Sequence, residues 1–382
     1  MHPTGSTPVS VGCTSTPHPF SESFAHALLR SAALLLLLVP LRGLPAAAPV
    51  DPLFASTETL VLELEGPLRA IAADRADRPD ERPVTMRWVE ADGSARELEI
   101  DVRARGRSRR DPQRCAFPPL RLDLPRSRVA DTVFEGQDKL KLVGHCQSLG
   151  SRATGPPDWV RLEYFAYRVL ARLTDASFRV RMLDVTYVDE DGERFRHPAF
   201  LIEAEPRLAA RLGLEPADLR NVDEALLDPA AARLAELFQY AIGGTDFSFT
   251  RAAVGDPICC HNAVLFGPDG EPPLVPVPYD FDVTGLVDPP GAIPAGGLGI
   301  RRVSERVWLG SCGDPDVLDA AIERFRAARA DIEGELATLD GLSRFRRDKA
   351  ATFLAAFFQE LEAPGAIAAR AATRCEAPTP AD

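Results

Sequence analysis

Alternating apolar and polar residues dominate the first half of the chain and predict β-strands. Apolar residues at helical spacing interrupt this pattern once, over residues 158–173, and predict a helix with Asp158 as its N-cap. The turn segment ADGS at 91–94 predicts a hairpin between two of the strands. The predicted strands are residues 59–64, 84–89, 96–105, 117–124, 138–143, 178–189 and 199–203.

The pattern changes to helical spacing after Glu205. Helices are predicted over residues 206–214, 226–243, 316–339 and 343–361, and the second of these ends at Gly243-Gly244. Two short apolar runs, 263–266 and 273–278, flank a turn and predict a β-hairpin. The sequence therefore predicts an α+β protein with a β-rich domain over 55–205, a helical domain over 206–375 and a tail at 376–382.

Residues 1–48 have the pattern of a secretory signal peptide. Arg30 precedes an apolar run, 31–39, that is too short to span a bilayer unaided, and the small residues 46–48 suit cleavage. An uncleaved anchor is the alternative, and a buried helix is disfavoured because Pro40 and Pro45 crowd the run. We expect an exported protein, periplasmic or secreted, that meets a membrane only through this segment if it stays uncleaved.

Composition and charge narrow the class of protein. Hydrophobic residues make up 45% and charged residues 26% of the chain, as in globular proteins, and the net charge of -12 argues against nucleic acid as a partner. One of the seven cysteines falls in the predicted leader, and the remaining even number suggests disulfides. Cys115 with Cys146 is the favoured bridge, and a bond from Cys312 to Cys259 or Cys260 is a second suggestion.

A row of arginines marks the strand predicted over 96–105. Arg103 and Arg105 share one face, and Arg107 and Arg109 join it if the extended backbone continues past Gly106. Guanidinium groups at this spacing suit phosphate binding. A charged sheet edge that prevents edge-to-edge pairing is an equally good interpretation.

A lysine pair occupies the strand predicted over 138–143. Lys139 and Lys141 share a face, where a lysine beside a cleft can hold nucleotide phosphates, although an exposed strand lysine is the commoner explanation. Glu163 lies off the centre of the apolar stripe of the helix at 158–173, a position from which it could pair with Lys141 across the sheet.

The segment 242–282 contains the candidate catalytic chemistry. Asp246 follows the helix stop, Asn262 enters one strand of the predicted hairpin and Asp280 leaves the other. Because hairpin ends lie close together, Asn262 and Asp280 can face a common metal ion, and Mg²⁺ prefers oxygen ligands. Taken singly, these residue types are also common in turns. A hydrolase that uses His261 is disfavoured, since the sequence contains no comparable nucleophile motif.

The order of these parts resembles that of kinases, although the HRD, DFG and GxGxxG motifs are absent from the sequence. The chain is more similar to atypical kinase-like proteins of the CotH type, and more distantly of the HipA type, over roughly residues 60–310. The segment 102–143 resembles their RG-containing glycine segment and lysine-bearing strand. The resemblance implies a kinase-like bilobal fold, with an antiparallel β-rich N-lobe, one pairing helix and a mainly helical C-lobe that carries a β-hairpin.

The resemblance also implies roles for individual residues. Asp246 would orient or deprotonate an acceptor hydroxyl, Asn262 and Asp280 would bind Mg²⁺ or Mn²⁺, and Asp282 is a further metal candidate. The implied donor is ATP.

The nucleotide side of the site is implied in the same way. Lys141 would hold the phosphates, with Lys139 and Arg121 as alternatives, and Arg105 lies in the segment that resembles the glycine loop. Glu163 would orient Lys141, and Glu203 would lie near the nucleotide base.

Two functional hypotheses follow. The first is an exported, metal- and nucleotide-dependent phosphotransferase that acts on a protein or small-molecule hydroxyl. The second is a non-catalytic, disulfide-stapled binding protein of the cell envelope. The long interval between Asp246 and Asn262, where residues 248–257 look like an insertion, and the arginine-rich glycine segment favour keeping the second.

Overall fold

The computed structural model describes residues 51–106, 108–113, 115–144, 146 and 158–376. These residues belong to one compact unit. The predicted leader at 1–48, the arginine at position 107 and residues 377–382 of the predicted tail lie outside them.

Seven strands of the first half form one sheet: β1 (Leu60–Glu65), β2 (Arg82–Val89), β3 (Ala95–Ala104), β4 (Leu120–Asp123), β5 (Lys139–Val143), β6 (Val180–Val188) and β7 (Arg194–Ile202). Each of the seven predicted strands overlaps one of these. Their order in the sheet is β1-β2-β3-β4-β5-β7-β6.

The sheet closes on itself, so the expected kinase-like bilobal fold with its open N-lobe sheet is wrong. Strand β1 pairs antiparallel with β2 and parallel with β6, in a register that runs from Leu60 opposite Leu183 to Glu65 opposite Val188. The result is a seven-stranded barrel that joins helices in an α+β protein.

The alternation of apolar residues explains the closure. One face of every strand is apolar, and these side chains form a single buried core that includes Leu64, Ile100, Leu122, Leu142 and Val185. Burying one face from all seven strands together requires the sheet to curl around it. The same alternation predicts each strand equally well in an open sheet, so the sequence pattern does not reveal the pairing of β1 with β6.

Eight helices accompany the sheet in the described part of the chain: α1 (Pro52–Ala55), α2 (Leu68–Ala73), α3 (Asp158–Leu173), α4 (Glu205–Leu212), α5 (Pro229–Ile242), α6 (Pro315–Thr338), α7 (Arg344–Glu362) and α8 (Ala366–Glu376). The five predicted helices are confirmed as α3 to α7. No helix within the described ranges has both the length and the apolar character needed to cross a bilayer.

Helix α3 joins the outer wall of the barrel to the C-terminal helices. Its buried face, including Phe165 and Leu170, belongs to one core with Phe200 on β7 and with residues of α5, α6 and α7. Asp158 is the first helical residue rather than the N-cap, and its carboxylate accepts hydrogen bonds from the amide and hydroxyl of Ser343 at 3.2 and 2.5 Å.

A second, three-stranded sheet carries the hairpin. It contains β8 (Glu215–Pro216), β9 (Ala263–Gly267) and β10 (Val275–Pro278), in the order β10-β9-β8. The predicted hairpin is β9 and β10, which pair antiparallel with Pro278 opposite Ala263. The segments on either side of this pair, which contain Asn262 and Asp280, are therefore neighbours.

Candidate functional site

Cations line up across three neighbouring strands on the outer wall of the barrel. Arg103 on β3 lies opposite Arg121 on β4, which lies opposite Lys141 on β5. Arg105 follows two residues after Arg103 and is held in place by its amide, which donates to the carbonyl of Pro119 at 2.8 Å. Because the barrel core takes the alternate residues, the charged side chains of this row all lie on the outside.

Arg105 and Lys141 are half-buried cations. The charge of Asp280 favours the protonated form of both, but at a longer range than an ion pair. Neither forms an ion pair with any described residue, whereas Arg103 pairs with Glu81 at 3.4 Å. Burial lowers the pKa of both side chains, and the nearby charge of Arg105 lowers that of Lys141 further. The Lys141 ammonium lies 5.6 Å from the centre of the Tyr279 ring. Each cation therefore keeps hydrogen-bond donors free for a ligand.

Helix α3 places a buried acid beside these cations. Glu163 is only 4% exposed, and no hydrogen bond or ion pair joins it to a described residue. Burial, reinforced by the charge of Asp280, raises its pKa to about 8, while Arg109 and Arg105 act in the opposite direction. The structure does not join Glu163 to Lys141 as the sequence suggested; Arg105 and Arg109 are the cations that act on it.

The end of the hairpin supplies Asp280. The Tyr279 amide donates to the carbonyl of Asn262 at 2.9 Å, so the two ends of the hairpin are in contact. Asp280 has a φ of 62°, and its amide donates to the Tyr167 hydroxyl of α3 at 2.9 Å. Tyr167 also packs against Phe281, with 4.6 Å between ring centroids. Helix α3 thus fixes the backbone at Asp280.

Asp246 lies just beyond the end of α5, as predicted. Gly243 ends the helix in the left-handed conformation with a φ of 68°. His261 Nε2 is 2.7 Å from Asp246 Oδ1, and the Asn262 amide donates to the Asp246 carbonyl at 2.7 Å. The long interval between Asp246 and Asn262 is therefore a loop whose two ends meet.

One small pocket brings Asp246 and Asp280 together. Its lining residues are Gln239, Gly244, Asp246, Asp280, Val283 and Thr284. Two carboxylates and an amide are oxygen ligands of the kind that Mg²⁺ and Mn²⁺ accept, with substrate phosphate and water completing the shell. Among the described residues, no three of the His, Cys, Asp and Glu side chains are grouped closely enough to hold a metal ion by themselves. The donor set fits a cation that is held partly by its substrate.

Two other predicted site residues have partners. Asp282 forms an ion pair with Arg109. Glu203 is buried, and its two carboxylate oxygens accept from the Arg211 guanidinium at 2.8 and 3.1 Å and from the Arg179 amide at 3.0 Å. The metal role of Asp282 and the nucleotide role of Glu203 stay predictions.

Two cysteine pairs lie at disulfide distance beside the site. Cys115–Cys146 joins the segment after β3 to the segment after β5, and confirms the predicted bridge. Cys259 is paired with Cys260 immediately before His261, so the suggested bond from Cys312 to either of them is wrong. Disulfides of this kind are typical of oxidising compartments.

Sequence reasoning missed three residues of the site: Tyr167, Gln239 and Tyr279. Tyr167 and Gln239 lie in apolar helices, where periodicity gives no sign that a polar atom faces a cleft. The i, i+4 spacing of Glu163 and Tyr167 on one helix is the signal that was available.

No family model matches the chain, and no curated protein matches it. The resemblance to CotH-type proteins therefore stays a prediction.

Proposed function

We propose that the protein is an exported, metal-dependent phosphotransferase that uses a nucleotide polyphosphate and an acceptor hydroxyl. The observation that carries the proposal is the group of half-buried cations near Asp280, Arg105 and Lys141, neither of which forms an ion pair with a described residue. Lys141 also lies opposite Arg121 on the neighbouring strand, and like charges in that position lower stability, so the arrangement suits a bound anion. Phosphate is the anion that planar guanidinium and lysine ammonium groups together suit best.

Different residues of the site would have different roles in such a reaction. Arg105 and Lys141 would hold the phosphate oxygens of the donor, and Asp246 would accept the proton of the acceptor hydroxyl. The acceptor oxygen then forms the new bond to the terminal phosphorus as the bond to the leaving phosphate breaks. His261 holds the Asp246 carboxylate in position at 2.7 Å. Mg²⁺ or Mn²⁺, held by Asp280 and Asp246, would neutralise charge on the phosphate groups.

Metal-dependent nucleotide binding tests the proposal. We expect Mg²⁺-ATP or Mn²⁺-ATP to raise the melting temperature of the mature, oxidised protein, because the ligand binds only the folded state. The increase is expected to disappear in Asp280→Ala and to persist in Asp269→Ala, which alters the turn of the hairpin at the far end from the site. No increase in the parent protein with either metal would contradict the proposal.

A non-catalytic binding protein is the second candidate, and the pairing of Asp282 with Arg109 favours it. This pair occupies a carboxylate that the first hypothesis assigned to metal. The two candidates differ in transfer of the phosphoryl group from radiolabelled ATP to generic hydroxyl acceptors. Transfer that is lost in Asp246→Ala supports the enzyme, whereas ATP binding without transfer supports the binding protein.

A further inference from the structure

The pocket between the end of α5 and the end of the hairpin contains a polar group that no hydrogen bond explains. Gln239 is the residue, and it is 3% exposed. Its backbone carbonyl accepts from the Gly244 amide at 2.8 Å, but its side-chain amide makes no hydrogen bond to any residue in the described ranges. Buried polar side chains are normally paired, so this one calls for a ligand.

Gly244 shapes the wall of the pocket around this amide. A Cβ atom on Gly244 would overlap the Gln239 side-chain oxygen. The glycine is therefore required for space, and its backbone lies directly against the Gln239 amide. Gln239 and Gly244 both line the pocket that contains Asp246 and Asp280, so a partner of the amide can approach from that pocket.

The other polar groups of the pocket are oxygen atoms. Asp246 and Asp280 contribute carboxylates, and Thr284 contributes a hydroxyl that donates to the carbonyl of Phe281 at 2.9 Å. The Thr284 proton is thereby used, which leaves its oxygen free to act as an acceptor. Two carboxylates, a hydroxyl oxygen and an amide oxygen repel an anion and attract a hard cation.

We propose that the Gln239 side-chain carbonyl is a ligand of a divalent cation in this pocket, together with Asp246 and Asp280. The proposal rests on the proposed function, because the same cation would serve the phosphate donor there. It differs from the ligand set suggested by the sequence, since Asn262 directs its amide nitrogen to the Asp246 carbonyl and Asp282 pairs with Arg109. Gln239 is a neutral ligand, so the site carries fewer charges than three carboxylates would give.

Binding of Mn²⁺ alone tests the proposal without any need for activity. Free Mn²⁺ is measured by electron paramagnetic resonance during titration of the oxidised protein, and the same titration is repeated with Gln239→Met, Gln239→Glu and Glu236→Gln. We expect Gln239→Met, which keeps the shape but loses the carbonyl, to bind Mn²⁺ at least tenfold more weakly. Gln239→Glu adds a charge at the same place and is expected to bind more tightly. Glu236 lies on the same helix and contacts Ser311 instead, so its variant is expected to match the parent.

The possible outcomes distinguish an error in the assignment of Gln239 as a metal ligand from an error in the proposed function. Equal Mn²⁺ affinity in the parent, Gln239→Met and Gln239→Glu would overturn the assignment of Gln239, and would indicate that water satisfies its amide. Parent protein that binds no Mn²⁺ but does bind pyrophosphate in the presence of a chelator would overturn the cation site, while the anion-binding part of the proposed function stands. Parent protein that binds neither would remove both. If Gln239→Met does not fold, the comparison of Gln239→Glu with the parent still tests the assignment, because only a metal ligand at this position predicts tighter Mn²⁺ binding.

Discussion

Two charged faces on the outside of the barrel differ in how their charges are compensated. On β1, β2 and the start of β3, Arg87 lies between Glu63 and Glu97 on the neighbouring strands and pairs with both, at 3.0 and 2.6 Å. Near the end of β3 the pattern reverses. Arg121 lies between Arg103 and Lys141, and no carboxylate of the described residues pairs with Arg121 or Lys141.

The difference in pairing distinguishes charges that stabilise the sheet from charges that are available to bind a ligand. Opposite charges on neighbouring strands stabilise a sheet modestly, whereas like charges opposite each other destabilise it. The first face is compensated by its own ion pairs, whereas an anion would add to the stability of the second. Glu163 is likewise buried without an ion pair to a described residue, although Arg105 and Arg109 favour its charged form. Charged side chains that are buried without direct partners at several neighbouring residues are common at functional sites.

Removing Arg105 and Lys141 together gives the largest expected effect on anion binding. Arg105→Met with Lys141→Met is expected to weaken pyrophosphate binding at least a hundredfold, because hydrogen bonds to charged groups contribute about 1.5–3 kcal/mol each. The melting temperature is expected to change little, since the repulsion between the two cations is lost together with their attraction to Asp280. Isothermal titration calorimetry and thermal unfolding measure the two quantities.

The matched control is Arg87→Met on the compensated face. It is expected to lower the melting temperature slightly and to leave pyrophosphate affinity unchanged, because its ion pairs are partly exposed and contribute little. Pyrophosphate binding that survives in the Arg105→Met, Lys141→Met double variant, or falls equally in this variant and in Arg87→Met, would remove the distinction between the two faces.

A pH-dependent stability is the next largest expected effect, and it arises from Glu163. Its pKa of about 8 in the folded chain lies above the ordinary value of 4.5, so the folded state keeps a proton that the unfolded state releases between those values. Stability therefore falls as the pH rises from about 4.5 to 8 and is level above that range. The loss is on the order of 5 kcal/mol, since one pKa unit corresponds to about 1.4 kcal/mol. The groups that act on Glu163 in this range are Asp280, Arg105 and Arg109.

Glu163→Gln tests this expectation, because glutamine cannot ionise. Urea unfolding at pH 5, 6.5 and 8.5 is expected to show that the variant loses less stability over this range than the parent. Asp184→Asn is the control: Asp184 on β6 pairs with Arg196 on β7 at 2.8 Å and is not buried. Parallel pH profiles for the parent and Glu163→Gln would mean that Glu163 is compensated after all.

The sequence predicts those parts of the structure that depend on interactions between residues close together in the chain. The strands and helices follow from spacing along the chain, and Asp246 and Asp280 were found because a helix stop and a hairpin end are local signals. The closure of the barrel was missed because the pairing of β1 with β6 joins residues more than 110 positions apart, and an open sheet has the same alternation.

The site shows the same limit at the level of single side chains. The partners of Arg105 and Glu163 depend on which charges the fold leaves unpaired, and no spacing rule contains that information. Gln239 shows it most clearly, because only the position of Gly244 against its amide and the shared pocket with Asp280 reveal a free polar group.

Replacement of Asp282 gives the smallest expected change in pyrophosphate affinity. It tests whether an arginine near the site that is already paired can be freed to bind the anion. Asp282 pairs with Arg109, whose side chain is 32% exposed beside its own 24%, so the pair contributes less than about 1 kcal/mol to stability. Asp282→Asn frees Arg109 and is expected to tighten pyrophosphate binding about two- to fivefold, which corresponds to no more than about 1 kcal/mol. Asp288→Asn, which breaks an ion pair with Lys349, is expected to leave affinity unchanged. Weaker binding of Mg²⁺-pyrophosphate in Asp282→Asn would instead mean that Asp282 binds metal.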